Sequence, residues 1–348
     1  MGIIRILFLA DTHLGYDYAF RPRIERRRRG PEFFANFERA LQPAMQGLVD
    51  CVVHGGDLLY RSKVPPRLVS MAFEPLKAVA DRGVPIYLVP GNHERSAIPH
   101  RHLAEHPLIH IFDQPRCFVL HKDNFTLALS GFPFVRQGIR KRFSGVLHRT
   151  GWRDVAATVH VLCIHQAIDG ATVGPGGYRF RYAADVINPS EIPAVYSAVL
   201  SGHIHRFQVQ THNLRGGSLP TPVFYPGSIE RTSFAEKNEP KGYLILEFES
   251  DGPSGRLKKW EFVELPARPM IQLELNPSAQ TGAQLKSWIQ TSINDLPADG
   301  IVKLKVFGKP SPQAMEVLRA ASLRTLAPPT MNIDARFVEH SWYRQRRE

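Results

Sequence analysis

Short runs of apolar and β-branched residues recur along most of the chain. They are nearly continuous in apolar side chains, which is typical of strands that are buried on both faces. The runs are Ile3–Ala10, Cys51–His54, Ile86–Val89, Thr126–Ser130, Val159–Ile164 and Ala198–Leu200, with further strands around Val223–Tyr225 and Tyr243–Phe248. The stretches Glu32–Leu48 and Arg67–Asp81 have helical spacing. Strands that alternate with helices predict an α/β core.

The pattern changes near Pro266–Pro269, and the remainder is typical of a small βαβαβ unit. A strand is predicted at Met270–Leu275, and apolar residues between Leu285 and Ile293 have helical spacing. The half-exposed strand Ile301–Phe307, a helix that begins at Pro312, and the strand Ile333–Val338 complete the unit. We therefore predict two domains, at residues 1–265 and 266–348.

Polar residues with ligand chemistry follow five of the predicted strands. In order they are Asp11-Thr12-His13, Gly55-Gly56-Asp57, Gly91-Asn92-His93-Glu94, the single residue His165, and Gly202-His203-Ile204-His205. Ligands of open α/β sheets bind at the carboxyl ends of strands, so these segments are expected to converge on one crevice. Each motif taken alone is more often a turn or a surface feature. The ordered set of five favours a functional site.

The residue types in this set suit a pair of divalent metal ions. Carboxylates, one amide oxygen and several imidazoles favour Mn, Fe, Zn or Ni over Ca or Mg. Asp57 stands alone in its motif, so it is the candidate for a carboxylate that bridges both ions. Glycines that precede Asp57, Asn92 and His203 allow the backbone to turn sharply and approach the metals closely. The other histidines, including His54 within its strand, are interpreted as surface or core residues.

The order Asp-x-His, Gly-Asp, Gly-Asn-His, His and Gly-His-x-His resembles the calcineurin-like metallophosphoesterases from Asp11 to His205. The resemblance implies a four-layer α/β fold, a β-sandwich flanked by helices. It also implies two divalent transition-metal ions, for which Mn²⁺ is expected and Fe, Zn or Ni are alternatives. One ion would be held by Asp11, His13 and His205, and the other by Asn92, His165 and His203, with Asp57 shared. His93 would be catalytic and face the phosphate.

A narrower resemblance is to the SbcD-type DNA repair exonucleases, relatives of the meiotic-recombination nuclease. It is carried by Asp11–Tyr16, by Leu200–Arg206, and by Tyr225–Arg231 followed by Lys241-Gly242-Tyr243. It implies that the C-terminal unit is a capping domain that orients DNA, that the chain forms a homodimer, and that an SbcC-type coiled-coil ATPase is a partner. The helical segment that binds this ATPase is not visible after the cap.

Two positions depart from the SbcD-type pattern. Tyr60 occupies a position where these nucleases commonly carry a phosphate-contacting histidine, and it is expected to bind substrate through its hydroxyl. Glu94 replaces the usual aspartate and is expected to orient His93 with a longer reach.

Charge supports a polyanionic partner. Lys and Arg total 44 against 32 acidic residues, a formal net charge of +12 that favours DNA or an anionic surface. One arginine run follows the first metal motif and is expected to contact DNA through Arg26, Arg27, Arg28 and Arg29. A second acid-free stretch between Asp123 and Asp154 carries Arg136, Arg140, Lys141, Arg142, Arg149 and Arg153. The alternative interpretation of both runs is a solvated surface, and the arginine run is also compatible with a protein-docking site.

The expected cellular compartment is inferred from the cysteine pattern and from the absence of visible targeting or membrane segments. Three widely spaced cysteines with no Cys-x-x-Cys pair fit a reducing compartment. Neither a leader peptide nor a membrane-length apolar stretch is visible. We expect a cytoplasmic protein without a membrane partner.

The predicted reaction is hydrolysis of DNA phosphodiesters, by exonuclease or endonuclease action, in DNA repair or processing. Two alternatives remain open at this point. One is a metal-dependent phosphatase or phosphodiesterase acting on RNA, nucleotides or phosphoprotein. The other is a DNA-binding scaffold for an ATPase partner.

Overall fold

Two six-stranded sheets and one three-stranded sheet, with two short two-stranded ribbons, form within residues 2–24, 26–250, 254–278 and 280–338, which the computed structural model describes. The chain divides into two compact units. The larger unit comprises Met1–Tyr18 and Arg29–Pro266, and the smaller unit comprises Ala19–Arg28 and the chain from Ala267. The segment Ala19–Arg28 thus groups with the smaller unit, whereas the sequence prediction placed it in the larger one.

The larger unit contains strands β1 to β16, numbered in chain order. They are β1 (Gly2–Leu9), β2 (Cys51–His54), β3 (Ile86–Leu88), β4 (Ile109–Ile111), β5 (Arg116–Lys122), β6 (Phe125–Gly131), β7 (Val159–Ile164), β8 (Ala167–Ile168), β9 (Thr172–Val173), β10 (Tyr178–Arg179), β11 (Val186–Ile187), β12 (Tyr196–Ser201), β13 (Gln208–His212), β14 (Ser218–Tyr225), β15 (Gly242–Ser250) and β16 (Gly255–Glu264). Its helices are α1 (Gly30–Met45), α2 (Pro66–Ala80) and α3 (Ile139–His148). The strand order is β16-β15-β1-β2-β3-β4 in the first sheet and β13-β14-β12-β7-β6-β5 in the second.

Each sheet has a parallel centre, with antiparallel strands at one edge of the first sheet and at both edges of the second. Strands β1 to β4 are parallel to one another, and β15 pairs antiparallel with β1. In the second sheet β6, β7, β12 and β14 are parallel, whereas β5 and β13 pair antiparallel at the two edges. The central strands therefore deliver their carboxyl ends to one edge of each sheet, which is the position required for a site built from loops.

Three apolar cores define four layers, because successive side chains of a strand point to opposite faces. Ile6 and Phe8 of β1 pack between the two sheets with residues of β6, β7 and β12. Leu7 and Leu9 of the same strand pack against α1 and α2 on the outer face of the first sheet. A third core joins the outer face of the second sheet to α3. The helix–sheet–sheet–helix architecture confirms the predicted fold class.

The strands that sequence patterning missed are mostly short or partly exposed. β5 is half-exposed along its length and lies at a sheet edge, so it lacks the continuous apolar run used to find the others. β16 likewise lies at a sheet edge and consists of exposed and half-buried residues. A search for strands buried on both faces cannot find edge strands of this kind.

The smaller unit is a parallel three-stranded sheet covered by helices. Its elements are β17 (Met270–Leu275), α4 (Gly282–Asn294), β18 (Ile301–Val306), α5 (Pro312–Val317), α6 (Ala320–Leu326) and β19 (Asn332–Phe337). The single helix predicted from Pro312 is two helices, because Arg319 adopts an extended backbone conformation that interrupts it. None of the helices in the described part of the chain combines the length and the apolar character that a bilayer crossing needs.

Candidate metal centre

The five predicted motifs follow β1, β2, β3, β7 and β12, which are the parallel strands at the centres of the two sheets. Neighbouring strands end in step, since Leu9 pairs with His54 in the first sheet and Ser201 pairs with Ile164 in the second. The loops after these strands therefore begin at the same level. The structure brings their polar side chains together at this edge, as the sequence predicted.

Four residues of the five motifs have positive φ angles although they are not glycine. The values are 51° for Asp11, 45° for His13, 53° for Asp57 and 81° for His203. Such conformations cost free energy for residues with a side chain and persist only where the surroundings impose them. Their concentration at one place is typical of a functional site.

Two glycines are required because other groups occupy the space beside them. A Cβ atom on Gly56, whose φ is +106°, would collide with the imidazole of His165. A Cβ atom on Gly91 would collide with the carboxylate of Asp57. These glycines thus permit the close approach of loops that the sequence pattern predicted.

The first group of donors, which we call the first half-site, consists of Asp11, His13 and His205. One ligand atom from each lies within 4.8 Å of the others. The Nε2 atoms of His13 and His205 face each other at 2.9 Å. Asp11 is fully buried, and both its carboxylate oxygens accept the backbone N–H of His203 at 3.1 Å.

The second half-site consists of Asn92, His165 and His203. The Oδ1 atom of Asn92 lies 3.0 Å from Nε2 of His165 and 2.8 Å from Nδ1 of His203. Asp57 lies near both half-sites, because its carboxylate groups with His13 and His93 and, in a second group, with Asp11 and His165. Its Oδ2 atom is 3.5 Å from Nε2 of His165.

Burial and charge in the two half-sites suit a cation. Burial raises the pKa of Asp11 to about 6 against the opposing effect of His165. Burial also disfavours ionisation of Asp57, but the charge of His165 outweighs it and lowers the pKa of this carboxyl well below its usual range. Burial lowers the pKa of His203 to about 3, so its imidazole is neutral and has a lone pair to donate.

The donor set passes a simple chemical test for divalent metals. Two buried carboxylates, one amide oxygen and four imidazoles converge without a thiolate, a combination that transition ions accept. Within the described residues, Nδ1 of His13 is buried and has no hydrogen-bond partner, while Nε2 of the same ring faces His205. Paired imidazole nitrogens at 2.9 Å are positioned as they would be around a shared cation.

His93 lies at the more open side of the cluster. Its side chain is 34% exposed, and Nε2 lies 3.8 Å from Oδ2 of Asp57. Nδ1 is 2.5 Å from the backbone oxygen of Tyr60 and donates to it. The backbone N–H of His93 donates to Oδ1 of Asp57 at 2.9 Å. This pair of contacts fixes the ring so that Nε2 points toward the metal ligands.

Glu94 does not contact His93, which corrects the prediction that it orients this imidazole. Its carboxylate accepts the backbone N–H groups of Leu59 at 2.6 Å and Gly91 at 2.9 Å. Burial and the charge of Asp57 raise the pKa of Glu94 to about 8. Glu94 therefore joins the second and third metal loops, and the orienting contact to His93 comes from the backbone of Tyr60.

His54, which is not among the predicted ligands, connects the loops that follow β1 and β2. It accepts the backbone N–H of Gly56 at Nδ1, and its Nε2 lies 3.1 Å from the hydroxyl of Thr12. Burial lowers the pKa of His54 to about 3, so the ring is neutral. Sequence reasoning missed this connection, although the residue's place one step before Gly55-Gly56-Asp57 was a usable signal.

The predicted DNA-contacting arginines separate into two kinds. Arg29 is buried, with its guanidinium 3.1 Å from Glu230 and 3.3 Å from Glu32, so it has a structural role and the prediction of a DNA contact is corrected. Arg26 is exposed and Arg27 and Arg28 are half-buried. The guanidinium of Arg27 donates to the backbone oxygen of Thr330 at 2.8 Å, within the smaller unit.

The fold and this donor arrangement define a metal-dependent phosphoesterase. The family model described as calcineurin-like phosphoesterase matches residues 4–207, and the chain belongs to that family. Membership and the converging donors make the cluster a dinuclear metal site.

Curated relatives narrow the likeness further. The DNA double-strand break repair protein Mre11 of Aeropyrum pernix is 26% identical over 287 residues, covering 78% of this chain and 63% of the relative. Mre11 of Methanopyrus kandleri is 25% identical, covering 75% of this chain and 57% of the relative. Mre11 of Haloferax volcanii is 28% identical, covering 80% of this chain and 56% of the relative. The chain thus spans less than two thirds of the length of these relatives.

Proposed function

We propose that this chain is a two-metal-dependent nuclease that hydrolyses DNA phosphodiesters in DNA repair or processing. The observation that carries the proposal is the convergence of two half-sites on Asp57, with His93 beside them on the open side. The similarity to Mre11 proteins named for DNA double-strand break repair supports DNA as the substrate. Exonuclease and endonuclease action both remain within the proposal.

The proposed ligands follow the two half-sites. Asp11, His13 and His205 would hold one ion, Asn92, His165 and His203 would hold the other, and Asp57 would be shared. The donor chemistry favours Mn²⁺, with Fe, Zn or Ni as alternatives. When bound, such a metal pair activates water for attack on phosphorus and neutralises charge on the phosphoryl oxygens.

His93 is proposed to assist by donating a proton or a hydrogen bond from Nε2. Because Nδ1 already donates to the backbone oxygen of Tyr60, Nε2 carries a proton only in the imidazolium form. The contact with Tyr60 holds the ring, so donation is directed at one place on the substrate phosphate. The phenol of Tyr60 is proposed to bind substrate, since its ring lies 5.8 Å from the His93 ring, centroid to centroid.

Basic surfaces support a DNA substrate in the larger unit. Phe134 packs against the rings of His165 and His203 at 5.8 and 5.5 Å, so the acid-free stretch passes beside the metal centre. Its exposed basic residues are Arg136, Lys141, Arg142, Arg149 and Arg153. Arg140 is excluded, because it pairs with Asp169 at 2.9 Å. Lys and Arg that contact phosphates supply affinity without reading sequence.

A loop and short ribbon that sequence analysis did not single out add to this surface. Arg206, directly after His205, donates to the backbone oxygen of Gly174, which places residues 172–182 near the metal centre. Tyr178 and Tyr182 are about two thirds exposed, at 63% and 64%, and Arg179 and Arg181 between them are exposed. Exposed aromatic rings among arginines suit stacking on bases and pairing with phosphates.

The remaining elements of the proposal concern assembly. Arg26, Arg27 and Arg28 of the smaller unit are proposed to contact DNA, and the smaller unit is proposed to orient it as a capping domain. The similarity to Mre11 and SbcD-type proteins supports a homodimer and an SbcC-type coiled-coil ATPase as partner.

Digestion of end-labelled single- and double-stranded DNA after chelation and readdition of Mn²⁺ tests this function. We expect cleavage that requires the metal and is lost in Asp57→Asn. Parallel assays with bis-p-nitrophenyl phosphate and p-nitrophenyl phosphate identify the alternatives. Hydrolysis of the monoester or of RNA without DNA cleavage would indicate a phosphatase or another phosphodiesterase. Metal-independent DNA binding without any hydrolysis would indicate a scaffold.

A further inference from the structure

The motif Tyr225–Arg231 with Lys241-Gly242-Tyr243 contains none of the proposed metal ligands. The structure places the segment between β14 and β15 against the loop that carries His205. The backbone N–H of Ser228 donates to the backbone oxygen of His205 at 3.1 Å. The hydroxyl of Tyr16, next to the first metal loop, donates to the backbone oxygen of Thr232 at 2.9 Å. This segment therefore borders the first half-site.

Glu236 brings a carboxylate to the outer nitrogen of His205. Its Oε1 atom lies 3.2 Å from Nδ1 of His205, while Nε2 of the same ring faces His13 inside the half-site. The hydroxyl of Thr232 donates to the same carboxylate oxygen at 2.7 Å. Glu236 is 8% exposed, so little water competes for these contacts.

Lys241 holds the carboxylate from the other side. Its Nζ atom lies 2.7 Å from Oε2 of Glu236 and donates to the backbone oxygen of His205 at 2.8 Å. The residue is fully buried, and burying an ammonium group is unfavourable unless it is paired and hydrogen-bonded. One ammonium thus fixes both the backbone of the ligand and the carboxylate that contacts its ring.

We infer that Glu236 is a positioning residue for His205, and that Lys241 holds Glu236 in place. The Nδ1 proton of His205 is donated to Glu236, which leaves the lone pair on Nε2 directed at the ion of the first half-site. A carboxylate behind a ligand imidazole fixes its tautomer and raises its basicity, and its loss typically lowers metal affinity by about 10–100-fold. The inference rests on the proposed assignment of Asp11, His13 and His205 to one ion.

The second half-site offers an internal comparison. Nδ1 of His165 donates to the backbone oxygen of Gly55 at 2.7 Å. A neutral carbonyl therefore accepts the outer N–H of His165, whereas the carboxylate of Glu236 accepts that of His205. Removing the charge of Glu236 should therefore weaken the binding of the ion in the first half-site and leave the binding of the other ion nearly unchanged. A general loss of structure would weaken the binding of both ions.

The experiment is a Mn²⁺ titration of the chelated chain, residues 1–348, by calorimetry, with electron paramagnetic resonance to count bound ions. We expect Glu236→Gln to lower the affinity of one site by about 10–100-fold and to change the other less than about 2-fold. Glu239→Gln is the matched control, because Glu239 also lies near Lys241, at 3.5 Å, and pairs with Arg206 instead of His205. It should retain both affinities.

Glu236→Asp provides a second variant if Glu236→Gln does not fold. It keeps the negative charge beside Lys241 but shortens the reach to His205, and the same selective loss is expected. Unchanged affinities in the folded variants, equal losses at both sites, or the same loss in Glu239→Gln would overturn the inference. If the wild-type protein binds two ions but leaves DNA intact, the proposed nuclease function is refuted and the inference about Glu236 is not. The Mn²⁺ affinities of the variants would still test the role of Glu236.

Discussion

The two half-sites use similar ligands but support them differently. In the first, the ring of His205 contacts a carboxylate that a buried lysine holds; in the second, the ring of His165 contacts a backbone carbonyl. Burial opposes protonation of His205, yet the hydrogen bond to Glu236 raises its pKa. The comparison teaches that two neighbouring half-sites can present nearly the same donor atoms while their imidazoles have different electrostatic support.

The largest expected effect comes from removing the group that both half-sites share. Asp57→Ala should empty both, because the proposed bridge is lost and the like-charged ions would then repel each other across the site. Elemental analysis of the purified variant measures the metal content, and circular dichroism checks that it is folded. Two bound ions per chain in the folded variant would show that Asp57 does not bridge the two metal ions.

The next effect separates chemistry from metal binding. His93→Gln should keep both ions and DNA affinity while kcat falls by about 10²–10⁴-fold, the range typical of general acid catalysis. Metal content, DNA binding and single-turnover cleavage are measured on one preparation. If the variant loses metal together with activity, His93 is a ligand of one half-site. If activity is retained, His93 has no part in the reaction.

A smaller effect should fall on the second half-site. Gly56→Ala would press a methyl group against the ring of His165, so we expect about 10-fold weaker Mn²⁺ binding at that half-site, at the lower end of the range for disturbed ligand support. Gly83→Ala is the matched control, because Gly83 also has a positive φ, +84°, but has no atom within 4 Å of an added Cβ. Calorimetric titration of both variants measures the difference. An equal loss of Mn²⁺ affinity in the two variants would mean that backbone strain, and not displacement of His165, is responsible.

The smallest effect concerns DNA binding and should leave metal binding at both half-sites unchanged. Replacing Arg26, Arg27 and Arg28 with alanine should weaken DNA binding similarly for all sequences, and should flatten the log–log salt dependence by about 0.9 per lost phosphate contact. Fluorescence anisotropy at several salt concentrations gives this slope. Arg29 is left unchanged because it is buried in ion pairs. An identical slope in the variant would assign this run to solvent or to a protein partner.

The fold class and the convergence of the ligands were predictable because both depend on local patterns. Continuous apolar runs mark central strands, and the donors follow those strands directly. The support for His205 was not predictable, since Glu236 reaches it across a loop whose path has no periodicity. The prediction for Glu94 is wrong because it transfers the role of the usual aspartate to a longer side chain, whose carboxylate turns toward Leu59 and Gly91. Arg29 shows likewise that net charge cannot distinguish a buried ion pair from an exposed cation.

The pairing of β1 with β15 has a consequence for biosynthesis. Gly2 lies opposite Ser250, so the strand that leads into Asp11 and His13 waits for nearly the whole larger unit before its second neighbour arrives. At translation rates of about 5–20 residues per second, that delay is on the order of 10–50 s. During this interval one edge of β1 is open to other strands, a state in which nascent chains are prone to aggregate. If His205 holds one ion as proposed, the first half-site can take up its metal only after residue 205 has been synthesised.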